Sequence, residues 1–119
     1  MAKKILVLMR KAPYGTFYSY EGLQTILIMG AYEIDVSIAF VDDGVYVITK
    51  GQDTEALGVR QVARTFPALP DFNVETFYIH KESLEERGLT LDDLVIQPEV
   101  LDTAGMARVL EDQGVILPF

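Results

Sequence analysis

Two short apolar runs, residues 4–9 (KILVLM) and 36–41 (VSIAFV), constrain this chain more than anything else in it. Neither alternates apolar and polar side chains, so neither has a solvent face. Such runs belong in a parallel sheet that is covered on both sides. Parallel strands need a crossover between them, and residues 20–33 supply one. Leu23, Ile26, Leu27, Gly30, Ala31 and Ile34 recur there at helical spacing. Ile28, Met29 and Tyr32 fall off that stripe, which gives the helix a second apolar face. A helix apolar all round must be buried, either inside its own core or against another subunit.

The rest of the chain repeats the alternation. Asp42, Asp43 and Gly44 end the second strand, and a short apolar segment, 45–48, leads into the polar loop KGQDTE. A helix is expected over residues 55–69, with Val59, Val62, Ala63 and Phe66 inward and a break near Pro67 and Pro70. Residues 75–79 form a third strand that turns polar at His80 and Lys81. A short helix over 82–87 follows, closed by Gly88 as the left-handed residue, with Leu89 placed to meet Leu84. Thr90 and Asp93 have capping-box spacing. A fourth strand is expected at 94–97, stopping at Pro98. Asp102 then caps a helix over 103–113 with Met106, Ala107 and Leu110 inward, and residues 115–117 make the fifth strand. Five alternations indicate an α/β fold with one parallel sheet, helices on both faces and right-handed crossovers. All of residues 1–119 are expected to form a single domain.

Charge and composition remove several functions. The net charge of −8, with lysines and arginines scattered, argues against direct nucleic-acid binding. The apolar runs at 5–9 and 26–32 are too short for a secretory core or a bilayer span, so a cytoplasmic protein with no membrane contact is expected. There is no cysteine, which excludes disulfides, thiolate ligands and thiol chemistry by this chain itself. One histidine cannot build a His-rich metal site, and no cofactor is expected.

Candidate sites gather where strands end, the edge at which open α/β sheets collect ligands. The loop 10–19 could offer amides to an anion but lacks both GxGxxG and GxxxxGK. Its aromatics, Tyr14, Phe17, Tyr18 and Tyr20, are more than a solvated loop needs and suit an interface. Asp42 and Asp43 could hold magnesium, although DDG is also an ordinary turn signal. His80 is the one side chain whose ordinary pKa lies near neutrality; at a strand end it also suits a polar cap. Lys81 and Glu82 read as solvated first-turn residues. Nothing here joins a nucleophile, a base and an orienting group. The pocket-lining set is therefore His80, Lys81, Asp42, Asp43 and Tyr14. The interface set is Tyr14, Phe17, Tyr18, Tyr20, Ile28, Met29 and Tyr32.

The stretches ILVLMRKAPYGTFYSYEGLQTIL, VDDGVY, KGQ, SLEERGL and GVILPF, in this order along the whole chain, resemble the TusC/DsrF branch of the DsrE/DsrF/DsrH family. The resemblance implies a three-layer α/β/α sandwich around a five-stranded parallel sheet. It also implies sulfur-relay work. In the DsrE-like (TusD) branch a cysteine after the third strand carries persulfide sulfur, and His80 matches that position here. The TusC/DsrF branch is the companion subunit, so the implied partners are DsrE/TusD-like and DsrH/TusB-like chains in a hexamer of two trimers.

Three functions follow as expectations. The first is a non-catalytic companion subunit of a sulfur-relay complex. The second is a stand-alone small-molecule or anion-binding domain, self-associating, that uses residues 10–15, 42–44 and 80–81. The third is an enzyme with a divalent metal on Asp42, Asp43 and His80.

Overall fold

The five expected strands form one parallel sheet of order β4-β3-β2-β1-β5. A computed structural model describes residues 4–14, 18–51 and 62–119. The strands are β1 (Ile5–Met9), β2 (Val36–Phe40), β3 (Thr76–His80), β4 (Glu99–Leu101) and β5 (Val115–Pro118). The α-helices are α1 (Tyr18–Ala31), α2 (Lys81–Glu86) and α3 (Thr103–Glu111).

Strand order and handedness together decide which face each helix covers. The connections from β1 through β4 all step the same way across the sheet, so right-handed crossovers stack their helices on one face. The β4-to-β5 connection returns to the opposite edge and places α3 on the other face. The core divides accordingly. Val7, Met9, Ile38, Phe40 and Ile79 share the larger cluster with Leu23 and Ile26 of α1 and with Phe66 and Leu84. Leu6 and Ala39 share the smaller one with Met106 of α3.

Local rules hold where the sequence states them clearly. Gly88, at φ +65°, ends α2, with Gly88 N–H donating to Glu85 and Leu89 N–H to Leu84. The same pattern closes α1, where Glu33 takes the left-handed place at φ +57° and Ile34 N–H reaches the Met29 carbonyl at 2.9 Å. Asp102 caps α3 by accepting from Gly105 N–H at 2.7 Å. Thr90 N–H donates to the Asp93 carboxylate at 2.8 Å, the reciprocal half of a capping box.

Five expectations need correction. Ala31 and Ile34, expected on the inward stripe of the first helix, are exposed, because α1 ends at Ala31 and Ile34 follows the left-handed Glu33. The fourth strand is Glu99–Leu101, after Pro98 rather than before it. Residues 94–97 pack inward instead: Leu94 is buried, Val95 and Ile96 lie against the larger core, and one antiparallel bridge joins Leu94 to Thr49. Burial alone explains their apolar character. The expected helix over 55–69 appears over Val62–Phe72 as 3-10 geometry, running past both prolines; residues 55–61 lie outside the described residues. Proline at 67 and 70 cannot donate into an α-helical ladder. The segment Asp42–Ile48 is also 3-10 helical, with Val45, Val47 and Ile48 buried. On α3, Ala107 faces solvent, while Val109 and Leu110 pack beside Met106.

Candidate functional site

The carboxyl ends of β2, β3 and β4 bring together residues far apart in sequence. His80 ends β3, Ser83 sits in the first turn of α2, and Thr103 opens α3. On β3, His80 shares the side of Thr76 and Tyr78, because side chains alternate along a strand. That is the side covered by α3.

His80 is held at both ring nitrogens. Nδ1 lies 2.6 Å from Ser83 Oγ; Nε2 lies 2.8 Å from Thr103 Oγ1 and 2.9 Å from Glu82 Oε2. Thr103 Oγ1 in turn donates to Glu82 Oε2 at 3.2 Å. Ser83 Oγ also accepts from Asp42 N–H at 2.9 Å. A neutral imidazole with its proton on Nε2 satisfies the set: Ser83 O–H donates to Nδ1, and Nε2–H donates toward Thr103 and Glu82. Glu82 is the acceptor in both of these contacts.

A serine, a histidine and a glutamate in a row suggest a nucleophile relay, but burial rules it out. Ser83 is 2% exposed and already serves two neighbours, so no substrate atom reaches its oxygen. The set is a fastening between β3, α2, α3 and the loop at Asp42. Ser83→Ala is therefore expected to cost about 1–3 kcal/mol, because it orphans Asp42 N–H and His80 Nδ1. Lys81→Ala, at an exposed side chain 3.9 Å from Glu85, should stay within about 0.5 kcal/mol. Urea unfolding of both variants checks the contrast.

The sequence places His80 correctly at the strand end but misses its partners. His80 occupies the N-cap position of α2, yet its side chain caps no backbone amide and bonds Ser83 instead. The three-residue spacing of His80 and Ser83 was the available signal. Thr103 gives none, because only the fold brings it near. Glu82 is not merely solvated, since it accepts from Thr103.

The other candidates are spread out. Asp43 pairs with Arg87, whose Nε and Nη2 donate to Asp43 Oδ1 at 3.1 and 3.0 Å. Asp42 adopts φ +50° and uses its N–H on Ser83. Among the described residues no group of three or more His, Asp or Glu side chains is arranged to hold a metal ion. After β1, Arg10 N–H and Lys11 N–H both donate to the Phe119 carbonyl, at 2.7 and 3.3 Å, so these two amides are engaged within the chain. Tyr14 and Tyr20 are half-buried against the larger core, as is Met29. Phe17 lies outside the described residues. Tyr18, Ile28 and Tyr32 are exposed at 49%, 60% and 74%. Ile34, expected on the inward stripe, and Phe72, given no role in the sequence, are exposed as well. Phe72 lies beside the end of α1, its carbonyl packed on Gly30.

The chain's standing among known proteins follows from its whole length. The model of the DsrE/DsrF-like family matches residues 3–119. This chain belongs to that family. Within it, the likeness is to the TusC/DsrF branch. The intracellular sulfur oxidation protein DsrF of Allochromatium vinosum is 38% identical, covering 100% of this chain and 98% of that one. TusC homologues of Vibrio vulnificus and Pseudomonas aeruginosa are 34% and 32% identical, each over 98% of this chain and 98% and 100% of theirs. Among solved structures, the YchN protein of E. coli superposes with a TM-score of 0.81 at 20% identity, over 98% of this chain and 99% of that one. That likeness speaks for the fold alone. As in the sequence-based expectation, the DsrE/DsrF-like architecture is a five-stranded parallel sheet with helices on both sides. No helix among the described residues is long and apolar enough to cross a membrane.

Proposed function

We propose that this chain is the companion subunit of a sulfur-relay complex and does no sulfur chemistry alone. Its partners are a cysteine-bearing DsrE/TusD-like chain and a DsrH/TusB-like chain. The observation that carries this reading is a full-length likeness to DsrF and TusC proteins in a sequence without a single cysteine. A persulfide is held on a thiolate sulfur, and these 119 residues offer none. At the strand end where the carrier branch places its cysteine stands His80, hydrogen-bonded through both nitrogens. The relay feeds either tRNA 2-thiouridine formation or dissimilatory sulfur oxidation.

Exposed apolar side chains support a docking role. Ile28 lies on α1 and Tyr32 just past its end, where its N–H donates to the Ile28 carbonyl at 3.2 Å, with Tyr18 on the first turn of the helix. Aromatic and large aliphatic groups of this kind anchor subunit interfaces. Native mass spectrometry of the chain, alone and co-expressed with both counterparts, tests the reading. A mixed oligomer of the three chains, two copies of each, is expected. A chain that ignores both counterparts, as monomer or homo-oligomer, would overturn it.

A further inference from the structure

An apolar patch stays uncovered at the end of the molecule where α1 stops. It lies ahead of β2 and β3, away from His80, which ends β3. Gly30 has no side chain, so the turn at Phe72 and Asn73 closes directly onto the helix. The Phe72 carbonyl packs on Gly30, and Asn73 Nδ2 donates to the Gly30 carbonyl at 3.3 Å. Glu33 N–H reaches that same carbonyl at 3.0 Å. These contacts bring Tyr32, Ile34 and Phe72 to one end of the fold, all three exposed, and exposed Ile28 continues the patch along α1.

The patch has an acidic rim. Glu33, Asp35, Asp71 and Glu75 are all exposed. Asp35 and Glu75 sit just ahead of β2 and β3, which run side by side. Asp35 has Lys4 within electrostatic reach, although Lys4 is bonded to Asp112. Glu33, Asp71 and Glu75 form no ion pair with a described cation. Glu33 is the informative member. It stands in the left-handed place after α1, where glycine or asparagine is favoured. It also stands at the negative end of the helix dipole, where a cation is favoured, and the last turn of α1 has no basic residue. A residue that opposes two local preferences serves something beyond its own segment.

We propose that this patch docks a basic surface of one of the two counterpart subunits, in which lysines or arginines ring an apolar centre. The inference rests on the sulfur-relay reading and adds where the contact lies and which charge it meets. Charge complementarity identifies the occupant. A second copy of this chain, pressed patch to patch, would set the same carboxylates against one another. Nucleic acid and anionic membranes would be repelled likewise. Tyr32 and Phe72 supply large anchors for the contact, and the rim disfavours partners of the wrong charge.

The test is native mass spectrometry of the three co-expressed chains, with two variants of this chain that change its net charge equally. Glu33→Lys, Asp71→Lys and Glu75→Lys together reverse the rim. Glu85→Lys, Asp92→Lys and Glu111→Lys together reverse exposed carboxylates on α2, ahead of β4 and on α3. The rim variant is expected to weaken assembly about a hundredfold, because like charges facing each other across an interface are strongly disfavoured. Thermal unfolding of the isolated chain should be unchanged by it. The second variant should assemble within about threefold of the unaltered chain. An unaltered chain that assembles with neither counterpart would overturn the sulfur-relay reading and this inference with it. Undiminished assembly of the rim variant, or equal loss in both variants, would overturn this inference alone. Photo-crosslinking from p-benzoylphenylalanine in place of Phe72 gives a second readout that needs no charge reversal. Crosslinks to a lysine- or arginine-bearing peptide of a counterpart are expected, and crosslinks only to another copy of this chain would overturn the assignment.

Discussion

Replacing Phe40 with alanine should remove about 3–5 kcal/mol of stability, the largest loss expected from any single truncation in this chain. Phe40 is fully buried on β2, which is flanked on both sides by hydrogen-bonded strands. Its ring meets that of Phe66 edge-on, with centroids 5.7 Å apart and planes at 64°. Phe66 comes from the 3-10 helix Val62–Phe72, so this contact fastens a segment interrupted by two prolines onto the sheet. Edge-on aromatic pairs add about 0.5–1.5 kcal/mol beyond the area they bury. Phe40→Leu keeps most of the volume and should recover more than half of the loss. Urea unfolding at neutral pH reads both, and an alanine loss below about 1 kcal/mol would mean that the core closes over the gap.

Gly44→Ala is expected to cost about 3 kcal/mol, for a different reason. A Cβ at this position would stand 1.8 Å from the Met9 carbonyl oxygen and 2.4 Å from its carbon. Both are backbone atoms at the end of β1, where Val41 N–H donates to that same oxygen at 3.1 Å. A flexible side chain could move aside, but a central strand held by partners on both edges cannot. Gly51 provides the contrast. Its φ of +73° disfavours a side chain, yet among the described residues nothing lies within 4 Å of the added carbon. Gly51→Ala should cost only about 1 kcal/mol of conformational strain. Thermal unfolding of the two variants separates steric from conformational demand. Equal losses would show that the approach of Gly44 to β1 is not what the residue is for.

The glycine in DDGV therefore has a role that turn propensity does not describe. From the sequence, Asp42, Asp43 and Gly44 could be a turn or a metal site. In the fold, Asp42 supplies an amide to Ser83, Asp43 a carboxylate to Arg87, and Gly44 the absence of a side chain beside Met9. Each role has its partner on another element. The same is true at His80, where Ser83 is local but Thr103 is 23 residues away.

Signals that act over one helical turn or one strand were legible in the sequence. The unbroken apolar runs became β1 and β2, Gly88 closed α2, and Asp102 capped α3, because periodicity, capping and left-handed geometry are satisfied within a few residues. The absence of cysteine needed no structure at all to exclude a thiol. What only the tertiary structure decided depends on surfaces that residues distant in sequence offer one another. Leu94–Ile96 look like a strand, but the open edge of β3 pairs with Glu99–Leu101, while the earlier apolar run finds lower free energy in the core. Of the residues expected at an interface, Tyr14, Tyr20 and Met29 are half-buried against the chain's own core, while Tyr18, Ile28 and Tyr32 are exposed. Local hydrogen-bonding rules can be read along the chain. Which apolar surface a segment finally covers is a competition among distant partners, and folding settles it.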